Sequence, residues 1–208
     1  INSKIVLNWI EKAVKVIYEK FDLILVGSKS FVEIALQRVP HERVYYFPNW
    51  AEKIIEENKI NHKLKIELNS NALKIMYTGN LGTAQDFLTL CKVIIQNKSE
   101  NIQWIFIGEG RFKEEMKQLL TAERIKNKVL FIPQQNIETL PSWVAKADFL
   151  YLSLNKSKLF RQTVPAKLQG YMAMGKPILA MIAGEGASII EEADCGFIAP
   201  PGNTTKLN

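Results

Sequence analysis

Leu73-Lys74-Ile75-Met76-Tyr77-Thr78-Gly79-Asn80-Leu81-Gly82 is a short apolar run that stops in two glycines. The run reads as a strand, the Gly-x-x-Gly as a tight turn, and residues 86–97 then place apolar side chains at helical spacing. The same cycle recurs downstream. Strands are expected at 102–107, 129–132, 149–153, 178–182 and 196–199, with helices at 113–123, 137–145, 165–174 and 188–192 between them. Strands alternating with helices over short loops build a parallel sheet covered on both faces, so the expected class is α/β with a doubly wound parallel sheet. Such sheets take ligands at the carboxyl ends of their strands, which singles out the loops 78–83, 108–111, 133–135 and 154–167.

Upstream, Ile5, Val6, Trp9, Ile10, Ala13, Val14, Ile17 and Tyr18 share helical spacing. The lysines beside them permit a membrane-surface helix, but the interleaved Glu11 and Glu19 favour a helix packed on a core. A strand at 23–28, a helix at 30–37 and a strand at 43–47 follow, and then Pro48-Asn49-Trp50. Residues 52–71 are rich in Lys, Glu and Asn with little periodicity, and they read as a linker with a short helix.

Composition removes several classes. A chain of 208 residues that is 47% hydrophobic holds enough apolar material for a core, which excludes a disordered or fibrous protein. The net charge of +6 suits anionic ligands, yet no block of consecutive basic residues appears, so nucleic acid is not an expected partner. Cys91 and Cys195 are far apart and form neither a disulfide framework nor a zinc motif. No apolar run approaches the roughly 20 residues of a membrane span, and the expected location is the cytoplasm. Walker, nucleophile-elbow and His-Glu-x-x-His motifs do not occur, and His41 and His62 receive no catalytic role. Gly108-Glu109-Gly110 lacks the third glycine of a dinucleotide fingerprint, which disfavours a nicotinamide enzyme.

The segment 162–177 opens a helix with Pro165 and closes it with Gly175-Lys176-Pro177. Proline fits the first helical turn, and the unpaired N–H groups behind it, the helix dipole and Lys167 suit a phosphate. An ordinary surface helix fits the same pattern. Likewise the glycines at 79 and 82 admit both a ligand and a plain turn, and Lys156, Lys158, Arg161 and Lys167 both a diphosphate site and a solvated loop.

Taken in order, Tyr77 to Gly82, Ile107-Gly108-Glu109-Gly110, Ala145-Lys146-Ala147-Asp148, the 165–177 segment and Glu192-Ala193-Asp194-Cys195-Gly196 resemble the bacterial family 4 glycosyltransferases. These are nucleotide-sugar enzymes of the GT-B fold, with two Rossmann-like domains. The resemblance covers residues 73–203, while 21–50 looks like the last βαβ portion of the family's first domain. It implies a remnant of the acceptor domain at 1–50, a linker at 51–72, and a C-terminally truncated nucleotide-sugar domain at 73–208, inactive in isolation.

The resemblance also implies donor-binding residues: Gly79, Asn80, Leu81, Gly82, Gly108, Glu109, Gly110, Ile132, Pro133, Gln134, Lys158, Arg161, Gln162, Pro165, Ala166 and Lys167. The base would lie near Ile132, Pro133 and Gln134, and the diphosphate near Asn80 to Gly82, Ala166 and Lys167. Where the family places an Arg and a Lys after this first strand, the chain has Asn80 and Gln85, which passes the work to Lys158, Arg161 or Lys167. Gln162 and Gly170 stand at the family's paired glutamates; the first retains a hydrogen-bonding group for a sugar and the second does not. The expected activity is retaining transfer of a hexosyl or N-acetylhexosaminyl group in cell-surface polysaccharide synthesis. It needs no metal and no cofactor, the nucleotide-sugar being a substrate with UDP-sugar favoured. The expected acceptor is a lipid-linked saccharide, with the full-length protein peripheral at the inner membrane face. No catalytic residue is assigned. The competing expectation is a non-catalytic nucleotide-sugar or protein-binding module of the same fold.

Overall fold

The computed structural model describes residues 4–51, 66, 68–121, 125 and 128–207. Most of the expected 51–72 linker, including its short helix and His62, lies outside the described residues, as do the last positions of the expected 113–123 helix. The first unit runs α1 (Lys4–Glu19), β1 (Ile24–Val26), α2 (Lys29–Leu36) and β2 (Val44–Tyr46). β1 and β2 pair in parallel, so α2 is their crossover, and Ile24, Ala35, Val39 and Val44 form its small core. The opposite face of this sheet, Leu25 beside Tyr45, is exposed.

The helix α1 differs from the core-packed helix expected of it. None of its residues is buried, and Ile5 and Trp9 are each 70% exposed. The physical reason is its narrow contact: Tyr18 packs on the first unit's core and Glu11 meets Arg38 Nη2 at 3.1 Å, while no described layer lies over its other apolar positions.

The second unit runs β3 (Leu73–Thr78), α3 (Phe87–Gln96), β4 (Ile102–Ile107), α4 (Lys113–Leu119), β5 (Val129–Ile132), α5 (Leu140–Val144), β6 (Phe149–Ser153), α6 (Lys158–Gln162), α7 (Ala166–Ala173), β7 (Ile178–Met181), α8 (Glu185–Glu192), β8 (Gly196–Ala199) and α9 (Thr204–Leu207). Its six strands are all parallel in the order β5-β4-β3-β6-β7-β8, which is the doubly wound α/β sheet expected from the sequence. The alternation of side chains along each strand supplies both faces. Ile75, Tyr77, Trp104, Phe106 and Tyr151 point to one layer with Leu90, Val93 and Met116; Met76, Ile105, Leu150 and Leu152 point to the other with Val144, Leu168 and Ile190.

Chain progression reverses between β3 and β6, so loops from these neighbours diverge and leave a crevice at their carboxyl ends. Asp148 fixes the opposite ends of the same pair: its Oδ2 accepts from Lys74 N at 2.7 Å, and Asp148 N donates to Lys74 O at 2.9 Å. One short helix departs from the expected loops. α6 forms within the 154–167 stretch because Ser157 caps it, accepting from Phe160 N at 3.0 Å, and α9 closes the described chain.

Candidate functional site

The loops after β3 and β4 are laced together by their backbones. Gly79 N donates to Ile107 O and Leu81 N to Glu109 O, both at 2.8 Å, and Phe112 N donates to Leu81 O at 2.9 Å. Gly108 has φ of +148°, and a Cβ there would fall 2.0 Å from Gly79 O, so only glycine permits this approach. Between the loops and the end of β5 lies a cavity of about 430 Å³ whose lining includes Gly79, Asn80, Gly108, Glu109, Gly110 and Gln134. Glu109 is paired with a neighbouring cation. Lys113 Nζ binds its Oε1 at 2.6 Å and the Gly108 carbonyl at 3.2 Å, and this hydrogen bond holds the Glu109 carboxyl below its usual range.

Lys167 enters the crevice from the first turn of α7. Its Nζ lies 3.1 Å from Thr78 O, 3.8 Å from the centroid of the Tyr77 ring, and 3.2 Å from where a Cβ of Gly79 would be. One turn later on the same helix face, Tyr171 Oη accepts from Thr78 N at 3.0 Å and pins the end of β3 to α7. Among the described residues no carboxylate pairs with Lys167, and burial pushes its ammonium down to about 7. It lines a second cavity of about 410 Å³ together with Thr78, Ala166, Gly170, Tyr171, Trp50 and Leu140. Leu140 borders both cavities.

The structure therefore brings together Gly79, Asn80, Gly108, Glu109, Gly110 and Gln134, with Ala166 and Lys167 beside them. Leu81 and Ile132 are interior residues, and Pro165 is buried at the cap of α7. Pro133 is exposed next to Gln134, and Gly82 lies against the Asn80 and Gln85 side chains. Arg161 and Gln162 line a separate cavity with Lys29 and Glu185, and Lys158 starts α6 outside all three linings. Sequence reasoning missed Lys113, Tyr171, Trp50 and Leu140. The first two carried a signal, since each stands four residues after a residue already singled out. Among the described residues no three of His, Cys, Asp and Glu meet as a metal-ligand set, and no described helix is long and apolar enough to cross a membrane.

The six-stranded parallel sheet, with Lys167 and the first turn of α7 at its switch point, has the fold of GT-B glycosyltransferases of known structure. The chain belongs to the family described as Glycosyl transferases group 1, whose model matches residues 72–208. It is similar to WcaI of Escherichia coli K12, assigned as a glycosyl transferase of colanic acid biosynthesis, at 24% identity over 71% of this chain and 37% of WcaI. It is similar to WbjE of Pseudomonas aeruginosa, assigned as a glycosyltransferase, at 23% identity over 92% of this chain and 49% of WbjE. The chain thus spans less than half the length of these curated relatives. Among solved structures, Anabaena HepE in complex with UDP-glucose superposes with a TM-score of 0.69 at 17% identity, over 94% of this chain and 55% of HepE.

Proposed function

We propose that residues 73–208 hold the donor of a glycosyltransferase, a nucleotide-sugar with UDP-sugar favoured, and that residues 1–50 belong to the acceptor side, joined by a linker at 51–72. The observation that carries this reading is Lys167, a cation without a carboxylate partner among the described residues, held at the carboxyl end of β3 beside the open first turn of α7. A half-buried ammonium and helix N–H groups suit a diphosphate. From there the base extends toward Pro133 and Gln134 across the cavity of Asn80 and Glu109. The UDP-glucose named in the HepE complex supports a uridine donor, and the colanic acid role assigned to WcaI supports synthesis of a cell-surface polysaccharide.

In the proposed reaction a hexosyl or N-acetylhexosaminyl group moves from the diphosphate to a hydroxyl of a lipid-linked saccharide at the cytoplasmic membrane face, with retention at the anomeric carbon. The bond between that carbon and the diphosphate oxygen breaks as the acceptor hydroxyl oxygen bonds to the carbon, the hydroxyl proton leaves with the departing diphosphate, and Lys167 with the α7 N–H groups stabilises the charge that grows there. No cofactor beyond the nucleotide-sugar is assigned. Gly170 lines the cavity and offers no carboxylate to a ribose, which favours a second reading as a non-catalytic nucleotide-sugar-binding module. Calorimetric titration with UDP, GDP and their sugars tests both readings: saturable binding supports them, and no binding of any nucleotide at millimolar concentration by the folded protein contradicts them. Sugar transfer by the full-length protein then excludes the module.

A further inference from the structure

Three donors of the first unit converge on one carboxylate of the second. Glu185 opens α8, and its Oε1 accepts from Lys29 N at 2.5 Å, while its Oε2 accepts from Ser30 N at 2.8 Å and Ser28 Oγ at 2.7 Å. Lys29 and Ser30 are the first residues of α2, so their N–H groups have no acceptor in their own helix, and the carboxylate also faces the positive end of the α2 dipole. Ser28 stands at the N-cap of α2 without capping it, because its single hydroxyl proton is shared between Glu185 Oε2 and the Gln162 carbonyl. Ser28 is 2% exposed, while Glu185 is half-buried and its bond to Lys29 N lies at the surface.

The backbone before Glu185 is shaped for the contact. Gly184 has φ of +79°, and a Cβ there would fall 2.0 Å from Arg161 O, so this glycine lets the start of α8 lie against α6. Burial pushes the Glu185 carboxyl up, and the donors of Ser28, Ser30 and Lys29 outweigh that, leaving it below its usual range. A cleft of about 610 Å³ lined by Lys29, Tyr46, Arg161 and Gln162 has this contact in its wall.

We infer that Glu185 is a positioning residue: its carboxylate docks α2 of the first unit onto α6 and α8 of the second and so sets how the acceptor side meets the donor side. The docking rests on the hydrogen bonds alone, and its kinetic consequence rests on the function proposed above. The experiment compares the full-length enzyme with its Glu185→Ala and Glu185→Gln variants. Backbone amide exchange at Lys29 and Ser30 is expected to quicken by at least about tenfold in Glu185→Ala, with β3 and β4 unchanged, and by less in Glu185→Gln, which keeps one acceptor oxygen. In transfer assays Glu185→Ala is expected to lower kcat by about tenfold to a hundredfold with donor KM within about twofold, and Glu185→Gln to recover part of it. Unchanged exchange at Lys29 and Ser30 would overturn the docking. A rise in donor KM as large as the loss of kcat would overturn the positioning role. Should the wild type transfer no sugar, the function proposed above is what fails, and the exchange measurement still decides the docking.

Discussion

Lys167 is the residue on which the electrostatics of the site turn. Its ammonium keeps one carbonyl and one aromatic face as partners, too little to replace the water it has lost, so burial pushes it down to about 7. An unfolded lysine titrates near about 10.4, so between these values the unfolded chain holds a proton that the folded chain lacks. This group therefore makes stability rise with pH from about 7 upward across that window. A diphosphate reverses the sign, because it favours the ammonium. UDP binding between pH 8 and 9 is expected to take up about one proton and to weaken as pH rises. Calorimetry in buffers of different ionisation enthalpy measures that uptake, and none would mean that the free protein already holds Lys167 charged. Four residues on, Tyr171 gives Thr78 N its acceptor at 3.0 Å. Tyr171→Phe takes that acceptor from a half-buried N–H, and urea unfolding is expected to show a loss of about 0.5–1.5 kcal/mol.

At the scale of elements, the strand-end loops hold their shape through contact with each other. Gly108 carries φ of +148° under Gly79 O, so Gly108→Ala combines strain with a clash of backbone against Cβ. A destabilisation of about 2–4 kcal/mol by denaturant titration, together with lost nucleotide binding, is the expected outcome. These loops were legible in the sequence because each follows an apolar run and contains glycine. The helix α6 was not, since Lys158-Leu159-Phe160-Arg161-Gln162 is too short to show a period. Its formation separates Arg161 and Gln162 from Lys167 and carries them into another cleft. Trp50 and Leu140 were hidden for a different reason. They come from distant segments and meet only once the sheet has folded, and Trp50, 71% exposed, carried no burial pattern to mark it. α1 was legible as an amphipathic helix but not in its packing, because apolar periodicity reports a face and not what covers it.

At the scale of the whole molecule, two parallel sheets meet through Ser28, Glu185 and Gln162, while Lys167 and the first turn of α7 serve the switch point of the larger one. The net charge of +6 is spread without a basic block, so anion recognition depends on where single cations are placed. Under the function proposed above, that placement makes the diphosphate, more than the base, the part of the donor to be gripped. The most direct test compares the affinities of UDP and uridine for the wild type and for Lys167→Met. The wild type is expected to prefer UDP strongly, and the variant to lose about tenfold to a hundredfold of UDP affinity while uridine affinity holds within about twofold. Equal losses for both ligands, or an unchanged preference for UDP, would contradict a diphosphate site at Lys167.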